Sequence, residues 1–167
     1  MIDAGTPQKG KRPTFLTVLC ILTYISTGLA VISGFFGLLA GKPSEQIIED
    51  QQLRYISMVD DLKTADQLEF AETIDLLGKM EIERLSNYPL NPILLLIAGL
   101  LGLTGALLMW RGKKIGFHLY IVYSIFSIAS IYLLSSSENI TSFYIIVNFL
   151  FAGLFVFLYS RNLKWLA

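Results

Sequence analysis

The sequence has little of what a catalytic or metal site needs. In 167 residues it contains one cysteine, Cys20, and one histidine, His118. A single cysteine cannot form an intrachain disulfide, and zinc sites built from several Cys and His ligands are excluded. Charged residues make up 16% of the chain against 54% hydrophobic residues, and the mean hydropathy is +0.60. This composition excludes an ordinary soluble domain of this size and indicates a membrane protein.

Four long stretches contain no Asp, Glu, Lys or Arg: residues 14–40, 92–110, 115–134 and 140–159. A helix crosses the hydrocarbon core of a bilayer in about 20 residues, so each stretch predicts a transmembrane helix. The first is too long for a signal-peptide core and is read as an uncleaved anchor. The second is expected to start at Pro92, with Asn91 as its cap. Because the stretches lack acids and bases, ion-coupled transport and proton relays are disfavoured.

Basic residues cluster on one side of these predicted spans. The tail 1–13, the turn 111–114 and the tail 160–167 hold eight of the 13 Lys and Arg residues and one acid. The other side receives the segment 41–91 and the turn 135–139, with five basic residues and twelve acids. Since positively charged short loops stay in the cytoplasm, both termini are predicted to be cytoplasmic.

The segment 41–91 is the part large enough to form a module outside the membrane. It carries five basic and eleven acidic residues, a net charge of −6. Its apolar residues recur with helical spacing in two stretches, the first capped by Ser44. Thr64 and Gln67 have the spacing of a capping box and are expected to start the second. The sequence therefore predicts an extracytoplasmic amphipathic helical hairpin between the first and second spans.

The second helix of this hairpin has an apolar stripe that includes Phe70, Ile74 and Leu77, and these are candidates for a hairpin interface. Glu81 lies inside the same stripe, where it is expected to pair with Arg54 or Arg84 or to contact a partner. The other acids of the segment fall on the opposite faces. Because they do not converge with a histidine, they predict a solvated surface, with no catalytic and no metal site.

Small residues recur at intervals of four in two spans: Ser33, Gly37 and Gly41 in the first, and Ala98, Gly102 and Ala106 in the second. Such rows let helix backbones approach closely within a membrane. A second row on the first span, Ser26, Ala30 and Gly34, cannot face the same neighbour. The rows therefore predict packing among the four spans, contact with another membrane protein, or both.

The polar residues within the third and fourth spans include Ser127 and Asn148. A buried amide without a partner is costly in hydrocarbon, so Asn148 is expected to form a hydrogen bond with Ser or Tyr on a neighbouring helix. The alternative is that both side chains line a path for a solute.

The stretches "KRPTFLTVLCILTYISTGL" and "WRGKKIGFHLYIVYSIF" resemble small four-span inner-membrane proteins of Bacteroidota. The two stretches comprise 36 of the 167 residues. It implies a bacterial inner-membrane location and implies no activity, cofactor or site residue.

Together these features predict a non-enzymatic accessory or scaffold subunit of a larger inner-membrane complex. Its expected partners are other membrane proteins and the lipid bilayer, without nucleic acid or cofactor. The alternative is a small transporter or channel for an apolar or weakly polar solute. A membrane enzyme is disfavoured, because Glu81 or His118 would have to act without a second catalytic group.

Overall fold

The structure, a computed structural model, describes residues 12–166, and this part of the chain contains six α-helices and no strand. The basic residues Lys9 and Lys11 of the predicted tail lie outside the described residues. The helices are α1 (Thr14–Ala40), α2 (Glu45–Thr64), α3 (Leu68–Ser86), α4 (Leu90–Trp110), α5 (Ile115–Leu134) and α6 (Ser142–Ser160).

Four of the helices, α1, α4, α5 and α6, are long and apolar enough to cross a membrane. The chain is thus compatible with a multi-pass membrane protein, as the sequence predicts. The expected start of the second span is wrong, because α4 begins at Leu90. The amide of Asn91 donates to the carbonyl of Asn87 at 2.9 Å, so Asn91 already lies within helical turns and does not cap them.

Close packing of α1 against α4 depends on glycines on both helices. A methyl group at Gly34 would lie 2.8 Å from the carbonyl oxygen of Pro92, and one at Gly99 would lie 2.9 Å from the amide nitrogen of Val31. Gly102 lies directly against the side chain of Thr27. The backbones can approach this closely only where a side chain is absent.

The predicted rows of small residues therefore have different environments. In the α4 row, Ala98, Gly102 and Ala106 are all buried. In the α1 row, a methyl group at Gly37 would lie 3.1 Å from Pro92 Cβ, whereas Ser33 is exposed and Gly41 follows the helix end. The α4 row and Gly37 thus serve packing inside the bundle. Contact of Ser33 with another membrane protein stays a prediction.

The turn between α4 and α5 brings these helices together at two further glycines. Gly112 has φ 75°, a left-handed conformation that favours glycine. The next amide, Lys113 N, donates to the carbonyl of Leu108 at 2.8 Å and closes the turn. Beyond it, Gly116 lies so close to Gly105 that a methyl group on Gly116 would be 2.5 Å from the Gly105 carbonyl oxygen.

The core of the bundle lies near the start of α1 and the end of α6. Its buried members include Leu16, Cys20, Met109, Tyr120 and Tyr159. The hydroxyls of Thr23 and Tyr159 share a hydrogen bond of 2.8 Å. The guanidinium of Arg12 stacks over the ring of Trp110, 3.8 Å from its centroid. We call this end of the bundle the basic end, since six described basic residues lie here: Arg12, Arg111, Lys113, Lys114, Arg161 and Lys164.

Within α6, all of which the structure describes, Tyr159 is the buried residue. Nearer the start of the helix, Phe149 and Leu150 are 57% and 65% exposed. The helix is therefore anchored to the bundle at the basic end and packs loosely elsewhere.

The helices α2 and α3 pack against each other at the opposite end of the bundle. Ser44 caps α2 as predicted, with its hydroxyl accepting from the Ile47 amide at 3.3 Å. The predicted capping box is wrong: Thr64 still belongs to α2, and its hydroxyl donates to the carbonyl of Asp60. The chain reverses instead at Asp66, whose φ of 57° lies in the left-handed region. Asp tolerates this conformation better than most residues.

Candidate functional site

A cavity of about 320 Å³ lies between the α2–α3 pair and the helices α4, α5 and α6. Five residues that the sequence singles out for separate reasons line it together: Leu77, Glu81, Ala98, Ser127 and Asn148. A cavity of this size, with apolar walls and a few polar groups, is typical of small-molecule sites. We call it the outer cavity, and it is the candidate functional site.

At the α3 side of the outer cavity, Glu81 and Arg84 form an ion pair. Arg84 Nη2 donates to Glu81 Oε1 at 2.8 Å, so Glu81 pairs with one of the two arginines that the sequence suggested. Both side chains are partly exposed, and pairs of this type on one helix contribute less than about 1 kcal/mol to stability. The more important effect of the ion pair is that the charges of Glu81 and Arg84 compensate each other at the wall of the cavity.

Two buried polar atoms of residues that line the outer cavity have no hydrogen-bond partner among the described residues. They are Arg84 Nε, a donor, and Asn91 Oδ1, an acceptor. Leaving a buried polar atom unpaired costs about 1–3 kcal/mol. The sequence did not identify Asn91 as a site residue, because its place between two predicted elements indicated a helix cap.

Deeper in the outer cavity, the side chain of Asn148 forms a different hydrogen bond from the one predicted. Its Nδ2 donates at 2.8 Å to the carbonyl of Tyr144, one turn earlier in α6. The expectation of a bond to a neighbouring helix is therefore wrong. An Asn side chain can reach the carbonyl one turn earlier, so the acceptor lies on α6 itself. Ser127 lines the cavity from α5, where its carbonyl accepts from the Ser130 hydroxyl at 2.7 Å.

A second cavity of about 370 Å³ lies between α1, α5 and α6, and Ser127 and Asn148 line this one too. We call it the inner cavity. Its lining includes Thr23 and Tyr120, and the Tyr120 ring lies 4.8 Å from the Tyr159 ring in the core. The outer cavity thus lies next to the α2–α3 pair and the inner cavity lies closer to the basic end. The packed core separates the inner cavity from the basic end of the bundle.

Glu83 of α3 forms hydrogen bonds with the loop between α5 and α6. One carboxylate oxygen of Glu83 accepts from the Ser136 amide at 2.9 Å, and the other accepts from Asn139 Nδ2 at 2.7 Å and from the Ser136 hydroxyl. The sequence placed Glu83 on a solvated face and missed this role. The polar "SSSEN" turn was the signal, since its hydroxyl and amide groups can bind a carboxylate.

Burial raises the pKa of Glu83, but the hydrogen bonds from Ser136 and Asn139 outweigh that effect. The net result is a pKa below the ordinary value of 4.5. The site therefore favours the carboxylate form of this side chain.

The predicted interface residues of α3 divide into two groups. Leu77 and Glu81 line the outer cavity, and Ile74 is half-buried. Phe70 lies near the turn between α2 and α3 and is 67% exposed. The apolar stripe of α3 therefore extends beyond the part of the helix that the rest of the structure covers.

No group of three or more His, Cys, Asp or Glu side chains within residues 12–166 could hold a metal ion. The one histidine is exposed, and its Nδ1 lies 3.2 Å from the Lys114 carbonyl on its own helix. The outer cavity can bind a ligand, because its described lining offers an unpaired buried donor, an unpaired buried acceptor and an apolar wall.

Comparisons with family models, curated proteins and solved structures find no match for this chain.

Proposed function

We propose that this chain is a non-enzymatic, multi-pass accessory subunit of a larger bacterial inner-membrane complex, and that its α2–α3 pair contacts another protein. The observation that carries the proposal is the exposure of large apolar side chains on a pair that lies outside the four apolar helices. They are Ile47, Leu53, Ile56, Met58, Leu68 and Phe70, each about half exposed or more. Apolar surface of this kind outside a membrane marks interaction sites.

The charge of the pair supports a protein partner over the membrane surface. Helices that lie in the membrane interface are usually rich in Lys and Arg, which bind anionic lipid headgroups. The segment 42–91 instead has a net charge of −6. The partner that suits it has apolar side chains bordered by basic residues.

The proposed topology places both termini in the cytoplasm and the α2–α3 pair, as a helical hairpin, in the periplasm. It is supported by the collection of Arg12, Arg111, Lys113, Lys114, Arg161 and Lys164 at the basic end. Positively charged short segments are retained on the cytoplasmic side during insertion.

Replacing Phe70 by Asp should release the partner. The side chain is 67% exposed, so the fold should tolerate the change, whereas loss of an aromatic anchor typically weakens an interface by about 2 kcal/mol or more, roughly 30-fold. The measurement is the amount of partner that co-purifies with the full-length chain in mild detergent.

Ser57→Asp is the matched control, because it adds the same charge at an exposed position of α2. It should retain the partner. A wild-type chain that migrates alone, or a Phe70→Asp variant that retains as much partner as Ser57→Asp, would refute the accessory role.

A second candidate, a small transporter or channel for an apolar or weakly polar solute, is supported by the two cavities that share Ser127 and Asn148. On this view the path must open past the Thr23–Tyr159 hydrogen bond at the basic end. In proteoliposomes, replacing Ser127 and Asn148 by Ala should abolish solute flux. If the chain is only a subunit, the double variant should lose some stability, and solute flux should be the same with the variant as with the wild-type protein.

A further inference from the structure

We infer that the outer cavity binds an uncharged amphiphile, with a hydroxyl head between Arg84 and Asn91 and an apolar tail between α4, α5 and α6. This site is separate from the proposed docking surface of α2 and α3. Nothing in the inference requires the accessory role.

The two unpaired polar atoms specify the chemistry of the head group. Arg84 Nε can only donate a hydrogen bond and Asn91 Oδ1 can only accept one, and both are buried without a partner in the described structure. A hydroxyl can accept from the first and donate to the second. A carboxylate would leave Asn91 Oδ1 unpaired, and an ammonium group would leave Arg84 Nε unpaired.

The charges at the cavity favour a neutral ligand. Glu81 and Arg84 are the charged residues among those that line it, and they neutralise each other at 2.8 Å. A charged head group would have to lose its hydration without gaining an opposite charge, which is costly in apolar surroundings.

The walls of the cavity favour an apolar tail. Leu94, Leu95, Ile131 and Leu134 contribute side chains from α4 and α5. These helices are candidate membrane spans, so lipids are one source of the ligand. A tail that reaches the deep end of the outer cavity would meet Ser127 and Asn148, which line the inner cavity as well. The loosely packed α6 leaves room for entry from the bilayer.

The test is equilibrium binding to the full-length protein in phosphatidylcholine nanodiscs, with native mass spectrometry to count bound ligand. The probe is 1-decanoylglycerol, and decanoate and decylamine are matched probes with a similar tail and a charged head. We expect saturable one-to-one binding of 1-decanoylglycerol, with both charged probes at least tenfold weaker.

Three variants locate the site. Arg84→Lys keeps the pair with Glu81 but removes Nε, and it should weaken binding of the probe about tenfold. Ser127→Leu fills the junction of the two cavities and should reduce binding at least as much. Thr104→Leu is the matched control, because Thr104 is exposed on α4, and it should bind as the wild type does.

A water-soluble probe, 1-butanoylglycerol, distinguishes the sources of the ligand. If it binds as tightly as 1-decanoylglycerol, the apolar tail is not recognised, and the inference of an amphiphile is overturned in favour of a dissolved hydroxyl compound. If the longer tail adds affinity, the ligand is a membrane lipid. Absence of saturable binding, equal binding of decanoate and 1-decanoylglycerol, or equal binding by the Ser127→Leu and Thr104→Leu variants would overturn the inference.

Discussion

Replacing Gly116 by alanine should lower the free energy of unfolding by about 3 kcal/mol, at the upper end of the usual cost of overpacking. The added methyl group would lie 2.5 Å from both the Gly105 carbonyl oxygen and the Met109 amide nitrogen. Both are backbone atoms of α4, so no side chain can turn away to make room. The two helices would have to separate where the short turn at Gly112 holds them together.

The measurement is reversible unfolding in mixed detergent micelles. Two other glycines provide controls, for which we expect smaller losses in the free energy of unfolding. At Gly105 a methyl group would lie 3.1 Å from the Gly116 carbonyl oxygen and 3.2 Å from the Tyr120 amide, so Gly105→Ala should cost less. At Gly153, on the exposed side of α6, it would meet no atom within 4 Å. Gly153→Ala should leave stability unchanged or raise it by up to about 1 kcal/mol, because alanine favours the helix.

The order of the three variants tests the packing directly. If Gly116→Ala unfolds at the same denaturant concentration as Gly153→Ala, then α4 and α5 do not approach as closely as the structure shows. A general intolerance of helical glycines to substitution would instead destabilise all three variants alike.

Replacing Glu83 by alanine should detach the loop after α5 from α3. The change removes the acceptor of the Ser136 amide, the Ser136 hydroxyl and Asn139 Nδ2. Hydrogen bonds to a charged group contribute about 1.5–3 kcal/mol each, but this site is partly open to water, so we expect a total of about 2 kcal/mol. Hydrogen exchange of the Ser136 amide should accelerate about 30-fold.

Glu72→Ala is the control for this prediction, because Glu72 is an exposed acid on the same helix. It should leave exchange in residues 135–139 unchanged. Equal protection of the Ser136 amide in the Glu83→Ala and Glu72→Ala variants would show that the carboxylate does not hold the loop.

The same contact should depend on pH in a defined direction. The pKa of Glu83 is below its ordinary value of 4.5, so the folded state favours the carboxylate. Its contribution is therefore complete above about pH 4.5 and is lost as the pH falls through the lowered pKa. The protection factor of the Ser136 amide, which corrects for the intrinsic pH dependence of exchange, should fall below pH 4.5. In Glu83→Gln this fall should be absent, although the other acids still titrate.

Several residues that line the outer cavity could be identified from the sequence, but each was identified separately. The sequence named Leu77 and Glu81 from a helical stripe, Ala98 from a row of small residues, and Ser127 and Asn148 as polar groups within spans. Each of these predictions concerns one helix alone. They could not bring the residues to one cavity, because the return of α3 onto α5 depends on contacts between residues distant in the chain, such as Ser135 with Met80.

The errors at the helix ends have a related cause. Thr64 and Gln67 have the spacing of a capping box, yet Thr64 extends α2 and the chain turns at Asp66. Asn91 precedes a proline, as a cap would, yet the preceding turn already supplies an acceptor for its amide. Local signals permit more than one boundary, and the hydrogen bonds of the neighbouring turn decide between them.

The four long apolar helices and the two amphipathic ones follow from the amino-acid sequence alone. A run of about 20 uncharged residues must satisfy its backbone hydrogen bonds internally, and a period of 3.6 residues places apolar side chains on one face whatever the helix meets. The partner of each face depends on the tertiary structure. Gly99 meets α1, Gly116 meets α4 and Glu83 binds the loop after α5. Arg84 and Asn91 each have a polar atom at one cavity that finds no partner among the described residues. Periodicity fixes the direction in which a side chain points from its own helix, whereas the packing of the helices sets what that side chain meets.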